Sequence, residues 1–247
     1  MVARFDGRNP RAERVARELS SKLVTLIVDD QREAIRAVIE AGIEAGRGPR
    51  DTALNIVGRV NRATGKREGG IVGLNAPQAK AWLKAGDELD ALDPAYFERK
   101  LRDKRFDPMV RKAIETGKPL SKADRERVLN RYSDRLLKHR GDTIARTETI
   151  ASLNAGRDEG IKQLIEAGNI TEQQVVKVWD STGADGRTRD THLAMEGQRR
   201  RLNEPFITPM GHRLMHPGDA TLGAPGSEVI NCRCVLRFDI DFYAGLK

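Results

Sequence analysis

Cysteine is almost missing from this chain. Only Cys232 and Cys234 are present in 247 residues, with one residue between them. A disulfide between positions two apart would be badly strained. That excludes a disulfide-built fold and predicts a reducing compartment, with the thiols free or metal-bound. Aromatic residues are also scarce, at 4%, while charged residues reach 32%, above the ~25% of ordinary globular chains. The balance argues against one thick core and for many exposed helices. Long apolar runs are lacking too: the longest, Leu23 to Val28, is broken by Thr25, so no membrane segment is expected. The opening stretch has no apolar core of the kind a secretory signal needs, and none is expected there. A one-signed charge tail is absent as well, because acidic residues are interspersed throughout. The net charge of +8 would attract polyanions such as DNA without sequence preference; it would equally keep helix faces in water.

What is present is mostly helical pattern. Residues 10–46 carry apolar side chains at helical spacing, Val15 through Ile43, and stop at Gly46-Arg47-Gly48-Pro49. Such a helix suits a partner helix, an assembly or an ordinary bundle. A short helix follows from Asp51 or Thr52 to Val60. Gly65, Gly69, Gly70 and Gly73 then mark an excursion, read as a hairpin. Asn75 and Pro77 start a further helix that ends at Asp93-Pro94. Asp107-Pro108 opens another, and Ser121 with Asp124 caps one over 125–140. Gly141 reads as a break, with Asp142 capping a last helix to Ala167 and Gly168-Asn169 closing it. Within that last helix Gly156 and Gly160 suggest close packing by another element.

Beyond Gly168 the texture changes. Val175, Val176, Val178 and Trp179 favour a strand, Arg187–Met195 a short helix, and Glu228–Asp239 a strand. The expected fold class is therefore α+β. An extended, mostly helical N-terminal region precedes a small C-terminal α+β domain with a short antiparallel sheet. The expected parts are a helical arm over 1–74, a helical region over 75–140 and the α+β domain over 141–247.

The chemistry-bearing residues gather in two clusters of the C-terminal part, Asp185–His192 and Asn231–Cys234. On a strand the two thiols would share a face and could hold one ion, with His192 as third ligand and His216, His212 or Asp219 as fourth. A structural zinc is thus the candidate cofactor. The competing reading makes the thiols small core residues and His192 a donor to a backbone carbonyl. Asp185 beside His192 could serve proton transfer, but a turn-and-cap network explains it better, and no catalytic residue is assigned. Arg146 and Glu148, two apart on a helix, do not face each other; Glu148 is read as reaching Arg187, Arg189 or Arg233. Arg199, Arg200 and Arg201 form a basic knot able to touch phosphates.

Taken in order, Ile144-Ala145-Arg146-Thr147-Glu148, Trp179, Asp185 to His192, Gly197, Pro217, Asp219 and Asn231-Cys232-Arg233-Cys234 resemble the phage Mu F-like head morphogenesis family. The resemblance spans about residues 90–240. It implies a structural, non-enzymatic minor head protein of a tailed phage or phage-like particle. Such a protein would associate with the portal protein and inner capsid, and support head assembly and DNA packaging or delivery. It would be made in the host cytoplasm and reside in the virion, with phage DNA as a non-specific partner. It also makes Arg146, Glu148, Trp179, Asp185, Arg187, Arg189, His192, Asn231 and Arg233 the structural motif. The alternative is a metal-dependent hydrolase or nuclease, or a toxin-associated enzyme, using His192 and the Cys232/Cys234 pair.

Overall fold

The computed structural model describes residues 29–63, 67–68, 70, 72–182 and 186–244. The first part of the expected 10–46 helix, to residue 28, and the motif residue Asp185 lie outside these. The chain divides into two units, Ala53–Asp142 and the residues before and after it.

Within the first unit a two-residue ladder, β1 (Arg59–Val60) with β2 (Arg67–Glu68), forms the hairpin expected from the glycines. Helix α3 (Ala76–Asp90) starts on a reciprocal cap: Gln78 N donates to Asn75 Oδ1 and Asn75 N to Gln78 Oε1. Two 3₁₀ turns and α4 (Asp107–Thr116) follow. Ala85, Leu89, Tyr96, Val110, Val128, Leu129, Tyr132 and Leu136 close the core. The Arg99 guanidinium grips Glu88 at 2.5 and 2.8 Å beside them.

The expected break at Gly141 is corrected by the structure: α5 runs unbroken over Lys122–Glu166, 45 residues. Its start is the expected one, with Asp124 N donating to Ser121 Oγ. Gly141 is a packing notch. A Cβ there would lie 2.6 Å from Val57 Cγ1 and 3.1 Å from the Ala53 carbonyl, both associated with α2 (Pro49–Val57). Close approach of that helix outweighs the ~1 kcal/mol that glycine costs mid-helix. Asp142 caps nothing and instead pairs with Lys138 one turn earlier. The helix ends as expected at Gly168, whose φ is +72°.

In the second unit α1 (Asp29–Glu44) precedes α2, and a three-stranded sheet carries the C-terminal region. Strand β3 (Val175–Asp180) lies between β4 (Arg199–Arg200) and β7 (Val235–Ile240), all antiparallel, with Val175 opposite Ile240 and Asp180 opposite Val235. A hairpin of β5 (Phe206–Ile207) and β6 (Arg213–Leu214) stands between them in sequence. One core joins Trp179, Met195, Phe206, Leu214, Val229, Cys232, Cys234 and Leu236. A second joins Ile161, Ile170, Val175 and Leu202.

The expected strand over Glu228–Asp239 is half corrected. Residues Gly226–Val229 form a single helical turn, α7, and the strand begins only at Val235. Asn231 takes φ +56°, a left-handed conformation asparagine tolerates better than most residues, and the chain turns there. The anticipated role of Gly160 is corrected too: a Cβ on it would meet nothing within 4 Å. The close approach occurs at Ala151, where a Cβ on Gly218 would come within 3.1 Å.

Candidate functional site

His192 sits on the short helix α6 (Asp190–Leu193) and is buried. Its ring stands edge-on to Trp179, with centroids 5.1 Å apart, and Trp179 in turn meets Phe206 edge-on at 5.3 Å. The turn at Asn231 swings both thiols toward that ring. Cys234 Sγ lies 3.3 Å and Cys232 Sγ 3.6 Å from His192 Nδ1. All three donor atoms lie within 4.8 Å of one another.

The opposite ring nitrogen fixes the tautomer. His192 Nε2 is 3.1 Å from Glu228 Oε2. A carboxylate only accepts, so Nε2 carries a proton, and in the neutral ring Nδ1 is then the nitrogen that can offer a lone pair to a ligand. Thr191 Oγ1 donates to the same Glu228 oxygen, and His212 Nδ1 donates to the other at 3.2 Å. Burial pushes the Glu228 carboxyl up, but its hydrogen bonds from His212 and Thr191 and the nearby His192 outweigh this and hold it below the usual carboxylate range. Between the thiols, hydrogen bonding to Cys234 favours the Cys232 thiolate, against burial and with help from His192. The same interaction, with burial, pushes Cys234 up.

Elements around the trio hold it by main-chain atoms. Asn154, on α5, donates from Nδ2 to the Cys234 and Pro217 carbonyls, each at 3.0 Å, and its Oδ1 accepts from Leu236 N at 2.9 Å. Thr147 Oγ1 accepts from Asn231 N at 2.9 Å. The Arg189 guanidinium donates to the Ser227 and Ile230 carbonyls, closing the end of α7. Arg233 donates to Thr188 Oγ1 at 3.2 Å.

The structure therefore brings together His192, Cys232 and Cys234, with Trp179, Arg189, Asn231 and Arg233 around them. His216 is a correction: it is not in this group. It is buried and donates from Nδ1 to the Pro217 carbonyl; burial depresses its basicity, only partly opposed by Asp219. Asp219, weighed as a ligand, accepts from Met215 N and Thr221 N instead. His212 is tied to Glu228 rather than to the sulphurs. On α5, Glu148 is buried while Arg146 is exposed, and Thr147 makes the bond to the Asn231 turn. Arg187 is exposed. In the basic run, Arg199 pairs with Asp239, Arg200 donates to the Pro205 and Arg199 carbonyls, and Arg201 is exposed.

Sequence reasoning missed Glu228 and Asn154, and gave Thr147 and Thr191 no role beyond their place in the matching segments. A signal existed for Asn154: an amide flanked by Ala151 and Ala155 on the apolar face of a helix needs partners once buried. Glu228 gave none, since its place in an alternating run reads as an outward strand position.

The same segments decide the family. A family model described as Phage Mu protein F like protein matches residues 104–237, more than half of the chain. The chain belongs to that family. The match takes in α4 and α5, the sheet except the last three residues of β7, and every residue of the His192 cluster. Mu F-like proteins are a family of phage head morphogenesis proteins, structural in kind. No curated protein and no solved structure matches this Mu F-like chain. Among its described residues no helix is long and apolar enough to cross a membrane.

Proposed function

We propose that the protein is a non-catalytic minor component of the head of a tailed phage or phage-like particle. In this reading it sits at the portal and inner capsid and supports head assembly and DNA packaging or delivery. Its DNA contacts are electrostatic and indifferent to sequence, in line with the +8 net charge. The observation that supports it is the burial of the cluster at the centre of the family segments. His192, Trp179, Cys232 and Cys234 are each no more than 2% exposed, and both ring nitrogens of His192 are committed. A motif spent on its own interior builds a module rather than a reaction centre.

The test is co-expression of the full chain with the portal and major capsid proteins of the same particle. The expected result is co-sedimentation with portal-containing heads, and heads that fail to retain DNA when the chain is omitted. Bound DNA should be released steeply as salt rises. Failure to associate with portal or heads, together with turnover of a nucleic-acid substrate, would overturn the reading.

A further inference from the structure

The buried trio brings three possible ligand atoms together in the interior. His192 Nδ1 has one lone pair, and two sulphurs lie 3.3 and 3.6 Å from it. A metal placed among the three atoms uses all of them. Zinc–sulphur bonds of about 2.3 Å and a zinc–nitrogen bond of about 2.0–2.1 Å, at a tetrahedral angle, separate sulphur from nitrogen by about 3.5 Å. The observed separations bracket that value.

The surroundings match a metal's needs. The Glu228 carboxylate accepts from Nε2 at 3.1 Å, which leaves Nδ1 free to ligate and makes it a stronger donor, as acidic partners of ligating histidines do. The carboxylate is itself fixed by Thr191 and His212. On the sulphur side the Trp179 indole N–H is buried without a hydrogen-bond partner and borders Cys234. It is placed to donate to a metal-bound thiolate. Two thiolates and a neutral imidazole also cancel the charge of a divalent ion, so burial of the whole group carries no net charge.

We infer that Cys232 Sγ, Cys234 Sγ and His192 Nδ1 bind one zinc ion per chain. Glu228 acts as a positioning residue through His192. The ion joins α6 to the Asn231–Cys234 turn, and its role is structural. This inference is independent of the head-protein reading, since it concerns only the interior of the domain.

The experiment uses the full chain purified without chelator. Elemental analysis is expected to give one zinc per chain. Exchange for cobalt(II) is expected to give thiolate-to-cobalt charge-transfer bands and the intense visible bands of tetrahedral cobalt. A strong chelator should lower the thermal midpoint of the wild-type protein, and zinc but not magnesium should restore it. Cys234→Ser should lose the ion. Because that variant can fail to fold, Glu228→Gln provides the second reading. It leaves all three ligands in place and should weaken zinc binding about 10–100-fold while the far-ultraviolet dichroism stays native. Wild-type protein that carries no zinc after incubation with excess zinc and desalting, and shows no sulphur-to-cobalt band, overturns the inference. So does a thermal midpoint that ignores both chelator and zinc.

Discussion

Asn154 Nδ2 lies 3.0 Å from the Cys234 carbonyl oxygen and donates to it, across 80 positions of sequence. The same amide serves Pro217 and Leu236, so one buried side chain on α5 fixes both the cysteine turn and the first residues of β7. Replacing it strands the Cys234 carbonyl and the Leu236 N–H in the interior, each costing about 1–3 kcal/mol when unsatisfied, while the Pro217 carbonyl keeps its bond from His216 Nδ1. Asn154→Leu is therefore expected to destabilise the C-terminal unit by at least about 2 kcal/mol. Urea unfolding followed by tryptophan fluorescence reports this directly, because Trp179 is in the affected core. A midpoint within error of wild type would show that the amide is dispensable.

Two glycines of α5 give opposite expectations. Gly160→Ala meets no atom within 4 Å and should gain up to about 1 kcal/mol from helix propensity. Gly141→Ala would bring a methyl group 2.6 Å from Val57. Overpacking of this kind costs about 1–3 kcal/mol, which cancels or exceeds the same gain. Thermal unfolding of the two single variants should move in opposite directions, or Gly141→Ala should show no gain. Equal stabilisation by both would mean that α2 yields freely.

Lys177 is the buried cation of the central strand. Its Nζ donates to the Met215 carbonyl at 2.9 Å and sits 5.3 Å from the Phe206 ring centroid. Burial pushes its pKa from 10.5 down to about 8, against the fields of Asp158, Asp219 and Glu204 and with that of Lys162. Below about pH 8 the ammonium is charged in both states and the folded state bears the full burial cost. Between about 8 and 10.5 the folded protein has lost the proton and the unfolded chain has kept it, so this group's contribution becomes more favourable as pH rises. The unfolding free energy of wild type minus that of Lys177→Met should increase between pH 7.5 and 9.5, with a ceiling on the order of 3 kcal/mol. Taking the difference removes the titration of other groups. A pH-independent difference would place the charge in a better-solvated setting.

Much of the architecture was legible because it rests on local chemistry. Asn75 and Ser121 announce helix starts through their own side-chain bonds, and Gly168 announces an end through its backbone. The pairing of His192 with the two cysteines also followed from residue type. The site's supporting atoms did not, for a physical reason. Glu228, Thr147 and Asn154 act across 36, 84 and 80 or more positions, and neither periodicity nor propensity carries information at that range. Gly141 misled because glycine has two uses. It frees the backbone where φ is positive, and it removes a side chain where another backbone must pass. Only the neighbour, Val57, tells them apart. The strand over Glu228–Asp239 misled in the same way: alternation survives on either side of one asparagine at φ +56°, although the chain direction does not.

The segment between His192 and Cys232 leaves one cluster and returns to it, spanning 40 positions. In polymer terms its ends are already closed. The entropy of closing such a loop grows only with the logarithm of its length, about 0.6 kcal/mol for each doubling. Residues added at its outer tip, the Thr208–Gly211 turn of the β5–β6 hairpin, therefore cost the cluster almost nothing. The same residues added between Val229 and Cys234 would displace the sulphurs from the imidazole. The fold thus separates a stretch free to change length from the short ends that hold it.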